Sequence, residues 1–171
     1  MTSKGSRIIG KTALVLTLSV LSMLVAACGD VDRTAYSHFE KIPSSGWDPA
    51  DIIVFEPWPA DSAEAAIQLY DMELVLRNTV RKPLARLPIA LNIEDENGTL
   101  RSDTIIIGDP KGPQMRSKER YGVCETVLPL EKGLKLSEGF AVTVSPLSDA
   151  ESSSGLLNIG IRLTRATPGS D

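Results

Sequence analysis

From residue 70 onward, apolar and polar positions alternate with a period of two. In residues 70–77, Tyr70, Met72, Leu74 and Leu76 fall on one side, and Asp71, Glu73, Val75 and Arg77 on the other. Residues 87–94 repeat the pattern, with Leu87, Ile89, Leu91 and Ile93 opposing Pro88, Ala90, Asn92 and Glu94. Asn97-Gly98, a strong hairpin-turn signal, follows, and residues 100–107 return. Residues 123–128 alternate again, and Phe140, Val142 and Val144 share one face of a further run. The last run, 156–164, turns Leu157, Ile159, Ile161 and Leu163 inward. Period two places successive side chains on opposite faces of a strand, so one face of each run is made for a core.

Six or seven short strands joined by turns predict an all-β domain, an antiparallel two-sheet β-sandwich of Ig-like or jelly-roll-like kind, over residues 43–165. Pro88 lacks a backbone N–H, so its strand either lies at an edge or begins there. Residues 43–59 hold Trp47, Phe55 and Trp58 among four prolines and read as extended chain and turns. Asp61-Ser62-Ala63-Glu64-Ala65-Ala66 is a candidate helix too short to stand alone. Residues 108–122 and 145–155 read as long loops, and 166–171 as a disordered tail.

The N-terminus follows another rule. Residues 1–11 carry Lys4, Arg7 and Lys11 and no acid, and residues 13–27 are almost wholly apolar. A basic start, a short apolar stretch and a small-residue exit make a secretory signal. The apolar run falls short of the roughly 20 residues a spanning helix needs, and Thr17, Ser19 and Ser22 interrupt it. Val25-Ala26-Ala27 runs into Cys28 and is similar to the lipobox of bacterial lipoproteins. That similarity implies cleavage after a lipoprotein signal peptide, residues 1–27, and lipid attachment at Cys28. Only a thiol gives the required thioether. Each buried lipid methylene contributes about 0.8 kcal/mol, so several acyl chains of the palmitate type hold a protein on a membrane. Residues 28–42 then form a lipidated tether and lead into the domain.

Cleavage before Cys28 leaves 144 residues with 15 basic and 22 acidic side chains, a net charge of −7. An acidic domain without a basic run points away from nucleic acid. Cys124 is the one remaining cysteine, so no internal disulfide forms, and its alternating surroundings read it as a small buried hydrophobe.

Candidate chemistry is thin. His38 is the single histidine, which argues against zinc and against a Ser-His-acid triad. Glu94-Asp95-Glu96-Asn97-Gly98 lacks the ligand spacing of a calcium loop and reads as a solvated hairpin tip. Asp71 and Glu73 share an outer strand face beside Arg77, which suits a solvated face better than a glycosidase pair. Asn97-Gly98-Thr99 fits a glycosylation sequon that a bacterial lipoprotein leaves unused. No metal, no cofactor and no enzymatic activity are therefore expected. Within residues 111–120, Lys111, Arg116, Lys118 and Arg120 stand against Glu119 alone, where an acidic partner or lipid phosphate would meet them. Trp47 and Trp58 either pack against the sandwich or, if exposed in a shared groove, bind sugar or protein.

From Cys28 onward the layout resembles the GldH family of gliding-motility-associated lipoproteins of Gram-negative gliding bacteria and their non-gliding relatives. The residues that carry the resemblance are Tyr36, Trp47, Phe55, Tyr70 opening a strand that ends Arg77-Asn78, a Leu-rich strand with an acidic hairpin, Gly122, Gly139-Phe140, and the closing Asn158-Ile159-Gly160-Ile161-Arg162. The closing strand is similar to the family's GI-x-DIG-x-R ending. The chain departs from the family's Tyr-x-Asn-Leu step, having Arg81-Lys82-Pro83-Leu84-Ala85-Arg86-Leu87, and has Arg120-Tyr121-Gly122 where the family has Trp-x-Gly. The resemblance implies a non-enzymatic accessory or structural component of a cell-envelope complex, anchored in the outer membrane, with other envelope proteins as partners. Asp30 and Asp32 lie where acidic residues influence sorting, and the periplasmic and cell-surface faces both stay open. The alternative expectation is a surface or periplasmic glycan- or peptide-binding module built on Trp47, Trp58 and the long loops.

Overall fold

A computed structural model describes residues 33–58, 68–82, 86–109 and 114–166. The signal peptide, Cys28, the first part of the tether, the candidate helix at 61–66, Lys111 and residues 167–171 lie outside the described residues. Arg33 opens a compact unit of nine strands: β1 (Thr34–Lys41), β2 (Ile53–Phe55), β3 (Tyr70–Thr79), β4 (Leu87–Asp95), β5 (Gly98–Ile107), β6 (Arg116–Arg120), β7 (Val123–Leu134), β8 (Ala141–Pro146) and β9 (Leu156–Arg165). They form two antiparallel sheets, ordered β1-β9-β3-β7-β6 (sheet A) and β2-β8-β4-β5 (sheet B). The predicted β-sandwich is the fold.

The alternation explains the core. Met72, Leu74 and Leu76 of β3 and Ile159, Ile161 and Leu163 of β9 point from sheet A into the space between the sheets. Leu87, Ile89, Leu91 and Ile93 of β4 meet them with Val142 and Val144 of β8. All of these side chains are essentially inaccessible. Each contributes about 1.5–3 kcal/mol on leaving water, so this interface dominates the stability of the fold.

The structure moves several boundaries. Residues 34–41, read above as tether, form edge strand β1 on β9. The run Tyr36-Ser37-His38-Phe39-Glu40 is too polar to show a clear apolar face, and only the β9 ladder makes it a strand. Residues 116–120, read as loop, form edge strand β6, exposed at every position. An all-polar strand carries no alternation signal, and charges on an edge suppress pairing with another chain. Pro88 is not on an edge strand, because β4 lies between β8 and β5. It stands near the start of β4, where the carbonyl of Pro88 accepts from Leu147 N–H just past the last β4–β8 pair, Ile89 with Pro146. A register shift between Arg77 and Asn78 turns Leu156 inward and leaves Leu157, expected in the core, half-buried.

Trp47 is folded in beside the 3-10 turn Ala150–Ser153. Its indole Nε1 donates to the Asp51 carbonyl at 2.8 Å, and its backbone N–H to Ser153 Oγ at 2.6 Å. Gly46 before it has φ 104°, and a Cβ there would lie 1.7 Å from the Ala150 carbonyl oxygen. Only glycine fits that conformation and that approach.

Gly160 is required for a different reason. It pairs across the ladder with Phe39 on the outer face of sheet A, and a Cβ on it would lie 2.4 Å from both the His38 carbonyl and the Phe39 ring. Gly160→Ala is expected to cost about 2–3 kcal/mol through this overpacking. The melting midpoint should drop by roughly 5–10 °C. An unchanged midpoint would show that Phe39 does not rest on Gly160.

Candidate functional site

The outer face of sheet A carries a connected set of ion pairs. Strand parity puts Glu73, Val75 and Arg77 of β3 there, beside Gly160 and Arg162 of β9, Glu125 and Val127 of β7, and Arg116 and Lys118 of β6. Val75 is inaccessible although it faces away from the core, because Gly160 and Val127 flank it and Phe39 lies across Gly160. Arg77 stacks on the Phe39 ring, its guanidinium carbon 4.0 Å from the centroid. Such a cation–π contact is worth about 0.5–2 kcal/mol.

A chain of ion pairs crosses this small apolar patch. Arg77 Nε donates to Glu125 Oε2 at 2.8 Å, and Arg162 Nη2 donates to Glu125 Oε1 at 3.1 Å. Arg162 also reaches Glu73 at 3.5 Å, and Glu73 accepts from Arg116. Burial works against a charged Glu125, but the hydrogen bonds from Arg77 and Arg162 outweigh it and hold its carboxyl below the ordinary glutamate range. Two carboxylates and three guanidinium groups thus tie β9, β3, β7 and β6 together. Asp71, on the same strand face, serves locally and accepts from the Gly133 N–H at 3.0 Å. The arrangement is a structural clamp.

At one end of the same face the cations lose their partners. Here β1 and β3 finish, β9 and β7 begin, and β6 finishes. Phe39, Lys41, Arg81, Lys82 and Asn158 line a cleft of about 890 Å³. Arg77, Lys118, Arg120 and Glu125 line a second of about 390 Å³. Phe39 lines the larger cleft and Arg77 the smaller, and the two side chains stack on each other. Lys41, Arg81, Lys82, Lys118 and Arg120 form no ion pair among the described residues.

The residues singled out by sequence are divided by the structure. Arg116 belongs to the clamp, while Lys118 and Arg120 face the smaller basic cleft. Trp47, 1% exposed, is core. Trp58, 40% exposed, borders a separate cleft of about 520 Å³ with Glu56, Glu138 and Phe140. Trp47 is too buried to present its ring in a groove beside Trp58. Cys124 is a free, half-buried thiol on the inner side of β7. His38 pairs with Glu40 at 2.9 Å and meets the Phe55 ring edge-on. Among the described residues no three His, Cys, Asp or Glu side chains gather as metal ligands. Sequence reading missed Lys41, Arg81 and Lys82, which lie far apart in the chain and meet only because their strands end together.

No protein-family model, no curated protein and no solved structure matches this chain.

Glu125→Gln should destabilise the domain by about 1–2 kcal/mol near neutrality, since two charge-assisted bonds lose their acceptor charge in a partly exposed site. The folded-state pKa of Glu125 is depressed, so its contribution is complete above the ordinary carboxylate range and disappears as pH falls through the lower folded value. The stability gap between the parent and Glu125→Gln, from denaturant unfolding, should be constant above about pH 5 and close below it. A gap that widens on acidification would contradict the clamp.

Proposed function

We propose that this protein is a lipid-anchored, non-enzymatic accessory or structural component of a bacterial cell-envelope complex, of the GldH kind. Cys28 holds it to the outer membrane, and the sandwich presents its faces to other envelope proteins. The observation that carries the reading is the shortness of the link between the lipobox and folded structure. Strand β1 begins at Thr34, only six positions after Cys28. Six residues span at most about 20 Å, so the acylated cysteine would hold the domain close to a bilayer. The burial of Trp47 also supports this reading over the glycan- or peptide-binding module built on paired tryptophans, because that module needs both indoles in one groove.

The test is affinity isolation of the full chain from detergent-solubilised envelopes, beside Cys28→Ala. The parent should fractionate with the membrane and bring down a fixed set of envelope proteins. Cys28→Ala should appear in the soluble fraction and lose that set. Membrane retention of Cys28→Ala would refute the anchor, and a parent that isolates alone would refute the complex.

A further inference from the structure

We propose that the paired basic clefts at the end of sheet A bind an acidic polysaccharide, with carboxylate-bearing sugars as the matching chemistry. The domain is acidic overall, yet five cations without ion partners among the described residues surround this one end of one sheet face. Unpaired like charges held close together repel and gain nothing for the fold, so their gathering against the net charge is complementary to an anion. Glu125, the acid in the linings of the two clefts, already pairs with Arg77 and Arg162.

Three features narrow the anion. The clefts are linked through the Arg77–Phe39 stack, Phe39 lining the larger and Arg77 the smaller, which suits a chain with charges at intervals better than a single phosphate. Asn158 Oδ1, in the lining of the larger cleft, is buried without a hydrogen-bond partner. A buried acceptor costs about 1–3 kcal/mol when unpaired, and a sugar hydroxyl is a donor that would satisfy it once the Asn158 amide turns toward the cleft. The lining also includes the Phe39 ring and Leu157, apolar surface of the kind against which a pyranose face packs. A bilayer phosphate surface would answer the charge but would not enter two concave clefts.

The test uses the full chain in neutral detergent and three probes: polygalacturonate, neutral dextran of similar length, and phosphatidylglycerol vesicles. Polygalacturonate should bind with an affinity that falls as salt rises, and dextran should not bind. Lys82→Glu/Lys118→Glu, one change in each cleft, should weaken binding tenfold or more with an unchanged melting midpoint. Lys132→Glu/Lys135→Glu, the same charge change on exposed residues at the other end of β7, should weaken it less than twofold. Equal weakening by the two double variants would reduce the effect to net charge and overturn the site. Vesicle binding that Lys82→Glu/Lys118→Glu weakens tenfold or more, without binding to polygalacturonate, would assign the clefts to lipid, and the absence of any probe binding that this double variant weakens would remove them as a site. The Cys28 anchor is common to the parent and the double variants, so the comparison between them separates the clefts from the anchor.

Discussion

Everything in this domain depends on pressing two apolar sheet faces together. Leu74, Leu76, Ile159, Ile161 and Leu163 on one sheet meet Leu87, Ile89, Leu91, Ile93 and Val142 on the other, and all are closed to water. Because side chains alternate strictly along a strand, fixing these residues inward fixes their neighbours outward. Glu73, Val75 and Arg77 have no choice of face once Leu74 and Leu76 are buried. The outer surface of sheet A is therefore a consequence of the core, and its charges appear in an order that the core dictates.

That surface has two parts with different physics. In the middle, Val75, Gly160 and the Phe39 ring make a small apolar patch, and Glu73, Glu125, Arg77, Arg162 and Arg116 close over it in a connected network. Connected, partly buried charges on well-ordered strands are where ion pairs contribute to stability, unlike isolated pairs in water. At the end of the sheet the network stops, and Lys41, Arg81, Lys82, Lys118 and Arg120 have no ion partners among the described residues. Charges that the fold does not use are the ones on which the proposed polysaccharide site rests.

The sequence was most legible where alternation was strongest. β3, β4 and β9 were all read with the correct inward side chains, apart from Leu157, where a register shift at Arg77–Asn78 reversed one position. Such a shift is set by how neighbouring strands meet and leaves no local mark. β1 and β6 were illegible because edge strands need only one partner and carry few buried residues, so their composition is that of loops. Of the two places Pro88 allows, an edge strand or a strand start, the fold takes the second, since the missing N–H falls where β8 pairing has ended. The clefts could not be read at all. Lys41, Lys82 and Lys118 are tens of residues apart, and only the sheet order β1-β9-β3-β7-β6 brings their strand ends together.

Sheet A separates charges that hold the fold from charges that form no ion pair among the described residues. The most direct test needs no ligand: the melting midpoint of a variant in which Lys41, Lys82, Lys118 and Arg120 are all changed to Gln. Removing unpaired, mutually repelling cations should leave the midpoint unchanged or raise it, as expected when a site is kept at some expense to stability. A fall of several degrees would mean that these side chains hold the sandwich together, and the distinction between clamp and cleft would fail.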